Sequence, residues 1–268
     1  MALSIGIVGL PNVGKSTIFN ALTRAQNAQA ANYPFCTIEP NKAVVPVPDE
    51  RLTKLANIVS PKVINRATVE FLDIAGLVKG ASKGEGLGNQ FLGNIRETSA
   101  ILHVVRCFDH PDIVHVDGTV DPLRDAEIIE VELILADAQT LEKRASAMEK
   151  KARGDKNARP VLDAAAKLKA HFDSGKPASS FPDHDSDAAQ ALFQDCQFLT
   201  DKRMIYCANV DEKGLAEDNA HVKALRQFAA QHDRLVVKIC AKMEEDFAGL
   251  DDACLLYTSP SPRDRGNH

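Results

Sequence analysis

Tryptophan is missing from this chain, and only 5% of its residues are aromatic. The six cysteines lie far apart with no Cys-x-x-Cys pair, so neither a disulfide framework nor a zinc site of the usual spacing is expected. We also find no secretory leader and no apolar run long enough to cross a bilayer. These absences argue against a secreted protein, a protein held together by structural zinc and a membrane-spanning protein. They predict a cytoplasmic protein with no membrane partner.

The remaining composition is typical of a globular protein rich in helices, with 44% hydrophobic residues, 26% charged residues and a net charge of −5. Strands that alternate with helical patterns are predicted for the apolar runs at 4–8, 67–73, 100–108, 203–210 and 234–240. This alternation favours an α/β fold with a mainly parallel sheet flanked by helices. Residues 42–47 predict a further strand at an edge, because Pro46 and Pro48 do not suit a central position.

The sequence GLPNVGKS at residues 9–16 follows the first predicted strand and precedes a helical pattern. It matches the glycine-rich loop that arranges backbone N–H groups and a helix N-terminus around a phosphate chain. A glycine turn that arose by chance would lack the strand and the helix on either side. The motif therefore predicts a P-loop protein that binds a nucleoside triphosphate.

The residues of this loop have separate predicted roles. Gly9 and Gly14 allow the backbone to curl without Cβ clashes, and Lys15 would reach the β- and γ-phosphates. The Ser16 hydroxyl is a predicted Mg²⁺ ligand, and Thr17 is placed toward the α-phosphate. We expect Lys15 to be catalytic, because it would stabilise the charge of the transferring phosphoryl group.

A second motif ends the strand at 67–73, which runs into Asp73-x-x-Gly76. The Asp73 carboxylate would lie behind Mg²⁺, and the Gly76 N–H would contact the γ-phosphate. Ligands of parallel sheets bind outside the carboxyl ends of the strands, which is where this motif lies. The two motifs together indicate a nucleotide hydrolase of the switch type.

A third motif concerns the base. The strand at 203–210 leads into Asn209-Val210-Asp-Glu212, where guanine-specific proteins carry Asn-Lys-x-Asp. Glu212 is one methylene too long for the paired bonds that Asp makes to guanine, and Val210 lacks the stacking stem of Lys. We expect adenine, with its opposite pattern of donors and acceptors, to be favoured over guanine. A GTPase with the same machinery remains the alternative.

These motifs, together with NYPFCTIEPN at 32–41 and DIAGLVKGAS at 73–82, resemble the YchF or Obg-like ATPase family. The resemblance extends from residue 1 to about residue 252. It implies a P-loop ATPase of the translation-factor class that associates with ribosomes or ribosomal RNA, on a fold shared with GTPases. ATP would be the substrate, with GTP weaker.

Site residues follow from the same resemblance, position by position. It implies that the loop from Asn12 to Thr17, which includes Val13, binds phosphate. It also implies Mg²⁺ ligands at Ser16 and Thr37. Base contacts are implied at Asn209 and Val210.

One part of the expected catalytic machinery is missing. Related hydrolases place a glutamine after Asp-x-x-Gly to orient the attacking water, whereas Leu77 stands there. We expect a low intrinsic rate. His115, in the loop at 111–122, is one candidate for the missing role, with an ordinary loop imidazole as the alternative. Asn12 is another, if it helps to hold a potassium ion near the phosphates.

Residues 80–93 contain five glycines and are typical of a segment that orders around a γ-phosphate and is released on hydrolysis. A flexible surface loop is the alternative. Within this segment the motifs assign no nucleotide contact.

Between the strands at 100–108 and 203–210 lies more chain than a crossover connection needs. Apolar residues spaced by three and four predict an antiparallel coiled-coil hairpin that turns near Gly154. Its seam residues are Val131, Ile134, Ala138, Leu141, Ala145, Met148 and Ala152, then Val161, Ala165, Leu168 and Phe172. Asp, Ser and Pro at 173–187 are typical of a linker back to the sheet.

Basic residues outnumber acidic ones around the predicted tip, at 143–159. Such a projection predicts an RNA contact even on an acidic protein, because phosphate contacts are local. A solvated helix face with i,i+4 ion pairs has the same composition, and this alternative stays open. If RNA contact is the main role, the protein would be a nucleotide-gated ribosome-binding module with incidental turnover. DNA is not an expected partner.

The predicted division has a nucleotide-binding domain at 1–125 and 199–252, with the helical insertion at 126–198. Residues 253–268 do not resemble the family, whose members continue into a helical region and a small ubiquitin-like TGS domain. We expect this tail to be unrelated, disordered sequence that follows a truncation.

Overall fold

The computed structural model describes residues 3–30, 41–74, 87–116, 118–151 and 158–248. Its strands are β1 (Leu3–Val8), β2 (Lys42–Pro46), β3 (Thr68–Asp73), β4 (Ala100–Arg106), β5 (Arg203–Asn209) and β6 (Leu235–Ile239). Its α-helices are α1 (Lys15–Ala30), α2 (Glu50–Val59), α3 (Leu87–Arg96), α4 (Pro122–Lys151), α5 (Ala158–Asp173), α6 (Asp187–Cys196), α7 (Glu212–Ala216), α8 (Ala220–Gln231) and α9 (Ala241–Phe247). None of the helices in these ranges is long and apolar enough to cross a membrane.

The strands form one sheet in the order β2-β3-β1-β4-β5-β6. All neighbouring strands are parallel except β2, which runs antiparallel to β3 at the edge. The structure thus confirms the predicted α/β fold and the predicted edge strand. Because the parallel strands point the same way, the loops that follow β1, β3, β4, β5 and β6 open at one edge of the sheet.

The main core lies on both faces of this sheet. Ile7, Val104 and Tyr206, from the central strands β1, β4 and β5, are almost completely buried. These strands read as near-continuous apolar runs because helices cover both of their faces. Ala126, Ile129 and the following turn of α4 belong to the same core, so the long helix is anchored on the sheet at its N-terminal end.

A second apolar cluster lies where α4 packs against α5 and α6. The predicted seam is confirmed for the members that the cluster contains, namely Ile134, Ala138, Leu141, Ala145, Met148, Val161, Ala165, Leu168 and Phe172. The prediction is wrong for Val131, which is 50% exposed. This part of α4 presents Ile129 and Leu133 to the main core, so Val131 lies on its outer side.

The predicted linker at 173–187 is also wrong. Ala178 and Phe181 are buried in the second cluster, and a short 3₁₀ turn at Ala178–Ser180 carries the chain to α6. The Phe181 ring makes a T-shaped contact with His171 of α5, with 5.5 Å between the ring centroids. A segment rich in Asp, Ser and Pro is thus packed because its few apolar residues meet partners from α5.

Several predictions fall on residues outside the described ranges. These are Thr37, Gly76, Leu77, the seam residue Ala152, the turn near Gly154 and the tail at 253–268. The predicted switch at 80–93 is described only from Leu87, where α3 begins. Gly88 and Gly93 therefore lie in a helix, so the glycine count overestimated the length of the loop.

Candidate nucleotide-binding site

The loop between β1 and α1 needs backbone conformations that few residues adopt. Gly14 has φ of +100° and Asn12 has φ of +62°. A Cβ on Gly14 would lie 2.2 Å from Asn209 Nδ2, so the neighbouring side chain also excludes any larger residue. Helix α1 begins at Lys15, directly after the turn, and the N–H groups of its first turn have no partner within the helix. The loop therefore has the geometry of an anion cradle.

Lys15 is 7% exposed, and its Nζ donates to the Leu10 carbonyl oxygen at 2.6 Å. Burial lowers the pKa of Lys15 to about 8, and the Asp73 carboxylate opposes this shift. Asp73 ends β3, and burial raises the pKa of its carboxyl while Lys15 opposes that shift. A cation and a carboxylate within electrostatic range of each other thus lie beside the phosphate-binding loop.

The side chains here fit a magnesium ion that is held together with a nucleotide. Ser16 is exposed at the start of α1, and Asp73 supplies a carboxylate from the end of β3. The described ranges contain no group of three or more His, Cys, Asp or Glu that would hold a metal without help. Magnesium suits this donor set, because it keeps several waters and takes one or two protein ligands plus phosphate oxygens.

Asn209, the last residue of β5, joins three parts of the site. Its Nδ2 donates to the Val13 carbonyl oxygen at 2.9 Å, and its Oδ1 accepts from the Ala241 N–H at 3.0 Å. The residue is 4% exposed. It therefore holds the phosphate-binding loop and the start of α9 against the end of β5.

A cavity of about 570 Å³ opens beside this amide, which is a usual size for a small-molecule site. It is lined by the loops that follow β1, β4, β5 and β6. The lining residues are Asn12, Gly14 and Thr17, then Phe108, His110 and Ile113, then Asn209, Val210, Asp211, Glu212 and Lys213, and finally Cys240, Ala241, Lys242 and Glu245. The cavity adjoins the phosphate-binding loop, as the base pocket of a bound nucleotide must.

The predicted base-contacting segment lies on one wall of this cavity. Val210 is buried, whereas Glu212 is exposed and is the first residue of α7. Asp211 caps that helix, since its Oδ1 accepts from the Gly214 N–H at 2.8 Å. The cap fixes the backbone at Glu212, while the carboxylate of Glu212 stays exposed at the cavity.

His115 lies close to the phosphate-binding loop, but its side chain is buried. Its Nε2 is 2.7 Å from Asp125 Oδ2, in the first turn of α4, and the imidazole is 3% exposed. The neighbouring Val114 carbonyl oxygen accepts from Asn12 Nδ2 at 3.2 Å. The catalytic role of His115 stays a prediction, and in this structure the ring would have to leave Asp125 to reach a phosphate.

Comparison with known proteins agrees with this geometry. Residues 4–152 match the family model described as a 50S ribosome-binding GTPase. The ribosome-binding ATPase YchF of Bacillus subtilis is 50% identical over 94% of this chain and 69% of its own length. The protein of the same name from Haemophilus influenzae is 52% identical over 94% of this chain and 69% of its own length.

The chain belongs to the YchF family.

A solved YchF structure leads to the same conclusion. The YchF GTPase of Schizosaccharomyces pombe superposes with a TM-score of 0.82 at 35% identity, over 95% of this chain and 70% of that one. The names differ in the nucleotide, since the bacterial relatives are called ATPases and the yeast protein a GTPase.

Most of the predicted residues that the structure describes come together in this YchF site. Asn12, Gly14, Thr17, Asn209, Val210 and Glu212 line one cavity. Val13, Lys15, Ser16 and Asp73 lie at or beside the phosphate-binding loop. His115 is outside the cavity lining, and Thr37 and Gly76 are outside the described ranges.

Sequence reasoning missed two walls of the YchF pocket. One follows β6 and includes Cys240 and Lys242, and the other follows β4 and includes Phe108 and Ile113. Both lie at carboxyl ends of parallel strands, the rule that identified Asp73. That rule would have found them had it been applied to every predicted strand.

Proposed function

We propose that this protein is a magnesium-dependent nucleoside triphosphatase that binds ATP in the cavity described above and acts as a nucleotide switch. The observation that carries the proposal is the pair of hydrogen bonds that the Asn209 side chain makes, one to Val13 and one to Ala241. This side chain makes the phosphate-binding loop and the base cavity one continuous site, so a single ligand with a base and a phosphate chain fits both.

In this proposal Lys15 leaves the Leu10 carbonyl for the β- and γ-phosphates and stabilises the charge of the transferring group. Ser16 and Thr37 would hold magnesium, with Asp73 behind it. The ion, when bound, would neutralise charge on the phosphate oxygens. No glutamine follows Asp-x-x-Gly, since Leu77 stands there, so the attacking water has to be positioned by another group.

The Gly76 N–H would contact the γ-phosphate. Two other groups, His115 and Asn12, are proposed to position the water. His115 would act if it separates from Asp125. Asn12 would act through a potassium ion, although its Nδ2 is bonded to Val114 in the structure. Equal hydrolysis rates in potassium and sodium buffers would remove the potassium proposal.

We propose ATP as the preferred substrate because Glu212 at the cavity replaces the Asp that pairs with guanine. The test is competition of ATP and GTP against a fluorescent nucleotide, for the unaltered protein and for Glu212→Asp. We expect the unaltered protein to prefer ATP and the variant to lose part of that preference. Glu217→Asp is the matched control, because Glu217 follows the last residue of α7 and does not line the cavity. Tight GTP binding by the unaltered protein would refute the adenine assignment.

Association with the ribosome is proposed from the names of the relatives and from the basic residues at 143–159. Within that stretch, Arg144 pairs with Asp195 at 3.7 Å. Glu142, at the same level of the helix, pairs with Lys169 at 3.5 Å. Arg144 thus already has an acidic partner within the protein. The proposed RNA contact therefore rests on the basic residues nearer to the tip. The division into 1–125, 126–198 and 199–252 remains a proposal as well.

A further inference from the structure

Arg106, the last residue of β4, is a buried cation beside the candidate nucleotide site. It is 1% exposed and is among the largest fully buried side chains of the described residues. Its guanidinium donates to three backbone carbonyl oxygens of the loop that follows β4. Nε bonds Phe108 at 3.1 Å, Nη1 bonds Ile113 at 3.0 Å, and Nη2 reaches His110 at 3.4 Å.

The same three residues are those by which the β4 loop lines the cavity. The guanidinium carbon also lies 4.8 Å from the centroid of the Phe108 ring, within the range of a cation–π contact. Arg106 therefore contacts every part of this wall that faces the cavity, although it does not line the cavity itself.

A buried arginine is a costly way to fill a core position, because an apolar side chain of similar volume would avoid the loss of hydration. Its distinctive property is a planar group with five donors in fixed directions. Here those donors order a loop segment of Phe108, His110 and Ile113 that has no helix or strand of its own. The guanidinium thus supplies hydrogen bonds to loop carbonyls that would otherwise come from a neighbouring strand or helix.

We propose that Arg106 is a positioning residue for the nucleotide base: it acts through the Phe108, His110 and Ile113 carbonyls to preform one wall of the base pocket. The inference rests on the proposed function, since it assumes that a base occupies the cavity. It assigns Arg106 no contact with the phosphate chain. Because the wall is ordered before the ligand binds, less of the binding free energy is lost to ordering the loop.

The test compares a ligand with a base and a ligand without one. Titration calorimetry would measure ADP and inorganic tripolyphosphate, both with magnesium, on the unaltered protein and on Arg106→Lys. Lysine keeps the charge and most of the volume, but its three donors share one nitrogen. They cannot reproduce bonds that leave Arg106 from three separate nitrogens. We expect ADP affinity to fall about tenfold, the effect of ordering one or two groups, and tripolyphosphate affinity to change less than about twofold.

The matched control is Arg234→Lys, which makes the same chemical change at a partly buried arginine. Arg234 bonds Glu130 and Tyr206 and does not line the cavity, so both affinities should stay unchanged. Ile113→Gly loosens the same wall without altering the buried charge and should also lose ADP selectively. Arg106→Lys with unchanged ADP affinity, or with a parallel loss of both ligands, would overturn the inference. Failure of the unaltered protein to bind any nucleotide would instead overturn the proposed function.

Discussion

Asn209 illustrates how much of this site depends on single side chains. The sequence motif predicted a base contact at this position, and the structure gives the amide two protein partners, Val13 and Ala241. The motif did not predict those bonds, because their partners are backbone groups far away in the sequence. The requirement for glycine at position 14 has the same origin, since Asn209 occupies the space that a Cβ would need.

We expect Asn209→Ala to lower both stability and nucleotide affinity. The change leaves the Val13 carbonyl and the Ala241 N–H without their partner, which costs about 1–3 kcal/mol for a buried group. Urea denaturation would measure the free energy of unfolding, and fluorescent-nucleotide titration the affinity. Ser186→Ala is the control, because it removes the cap of α6 at a cost of about 1 kcal/mol and lies away from the site. Unchanged nucleotide affinity in Asn209→Ala would contradict the role given to this amide.

At the scale of the elements, α4 connects the two apolar clusters, and Asp137 fixes where the chain returns to the sheet. Its carboxylate accepts from the N–H groups of Leu199 and Thr200 at 2.8 Å and from the Thr200 hydroxyl at 2.7 Å. The side chain is fully buried. The turn at Leu199 and Thr200, just before β5, is thus bonded to the middle of α4, the helix that follows β4.

Asp137 should also make stability depend on pH. Burial raises the pKa of its carboxyl from the ordinary value of 3.8 to about 6, against the opposing effect of its hydrogen bonds. The folded state then binds more protons than the unfolded state in this window, so the contribution of Asp137 is largest below the ordinary pKa and falls as the pH rises to the folded one.

The variant Asp137→Asn has no titrating group at this position. The difference in unfolding free energy between the unaltered protein and this variant should therefore fall by about 2 kcal/mol between pH 4 and pH 7. Chemical denaturation at a series of pH values would measure it. A difference that stays constant or grows with pH would show that the hydrogen bonds outweigh burial in setting the pKa.

The elements were predictable to different degrees. Strong apolar runs predicted β1 and β3 to β6 within two residues at either end, and the spacing of apolar residues predicted α4 and α5. Helix α6 and the packed segment before it were missed. Helix α6 is packed through the Phe193 ring against Phe198, and the segment before it through Phe181 against His171 of α5. Such contacts across the second cluster leave no local period in the sequence.

At the scale of the whole molecule, the proposed ribosome contact predicts binding that depends on the nucleotide. Cosedimentation with ribosomes would be compared with ADP, with a non-hydrolysable ATP analogue and without nucleotide, over a series of salt concentrations. We expect one nucleotide state to bind more tightly, and binding to weaken as salt rises, because phosphate contacts release counterions. Lys15→Met, which cannot hold the triphosphate, should show no nucleotide dependence. Equal sedimentation in every state would leave an enzyme without the proposed switch.

The bonds that close the site join parts of the chain that are made at different times. Asn209 lies in β5, but its Nδ2 donates to the phosphate-binding loop after β1, and its Oδ1 accepts from the start of α9, beyond β6. A growing chain on the ribosome would therefore carry the phosphate motif long before it carries a complete pocket. The helices of the second cluster, which precede β5, would already be outside the exit tunnel by then. The first nucleotide bound by a newly made chain would thus mark the arrival of α9.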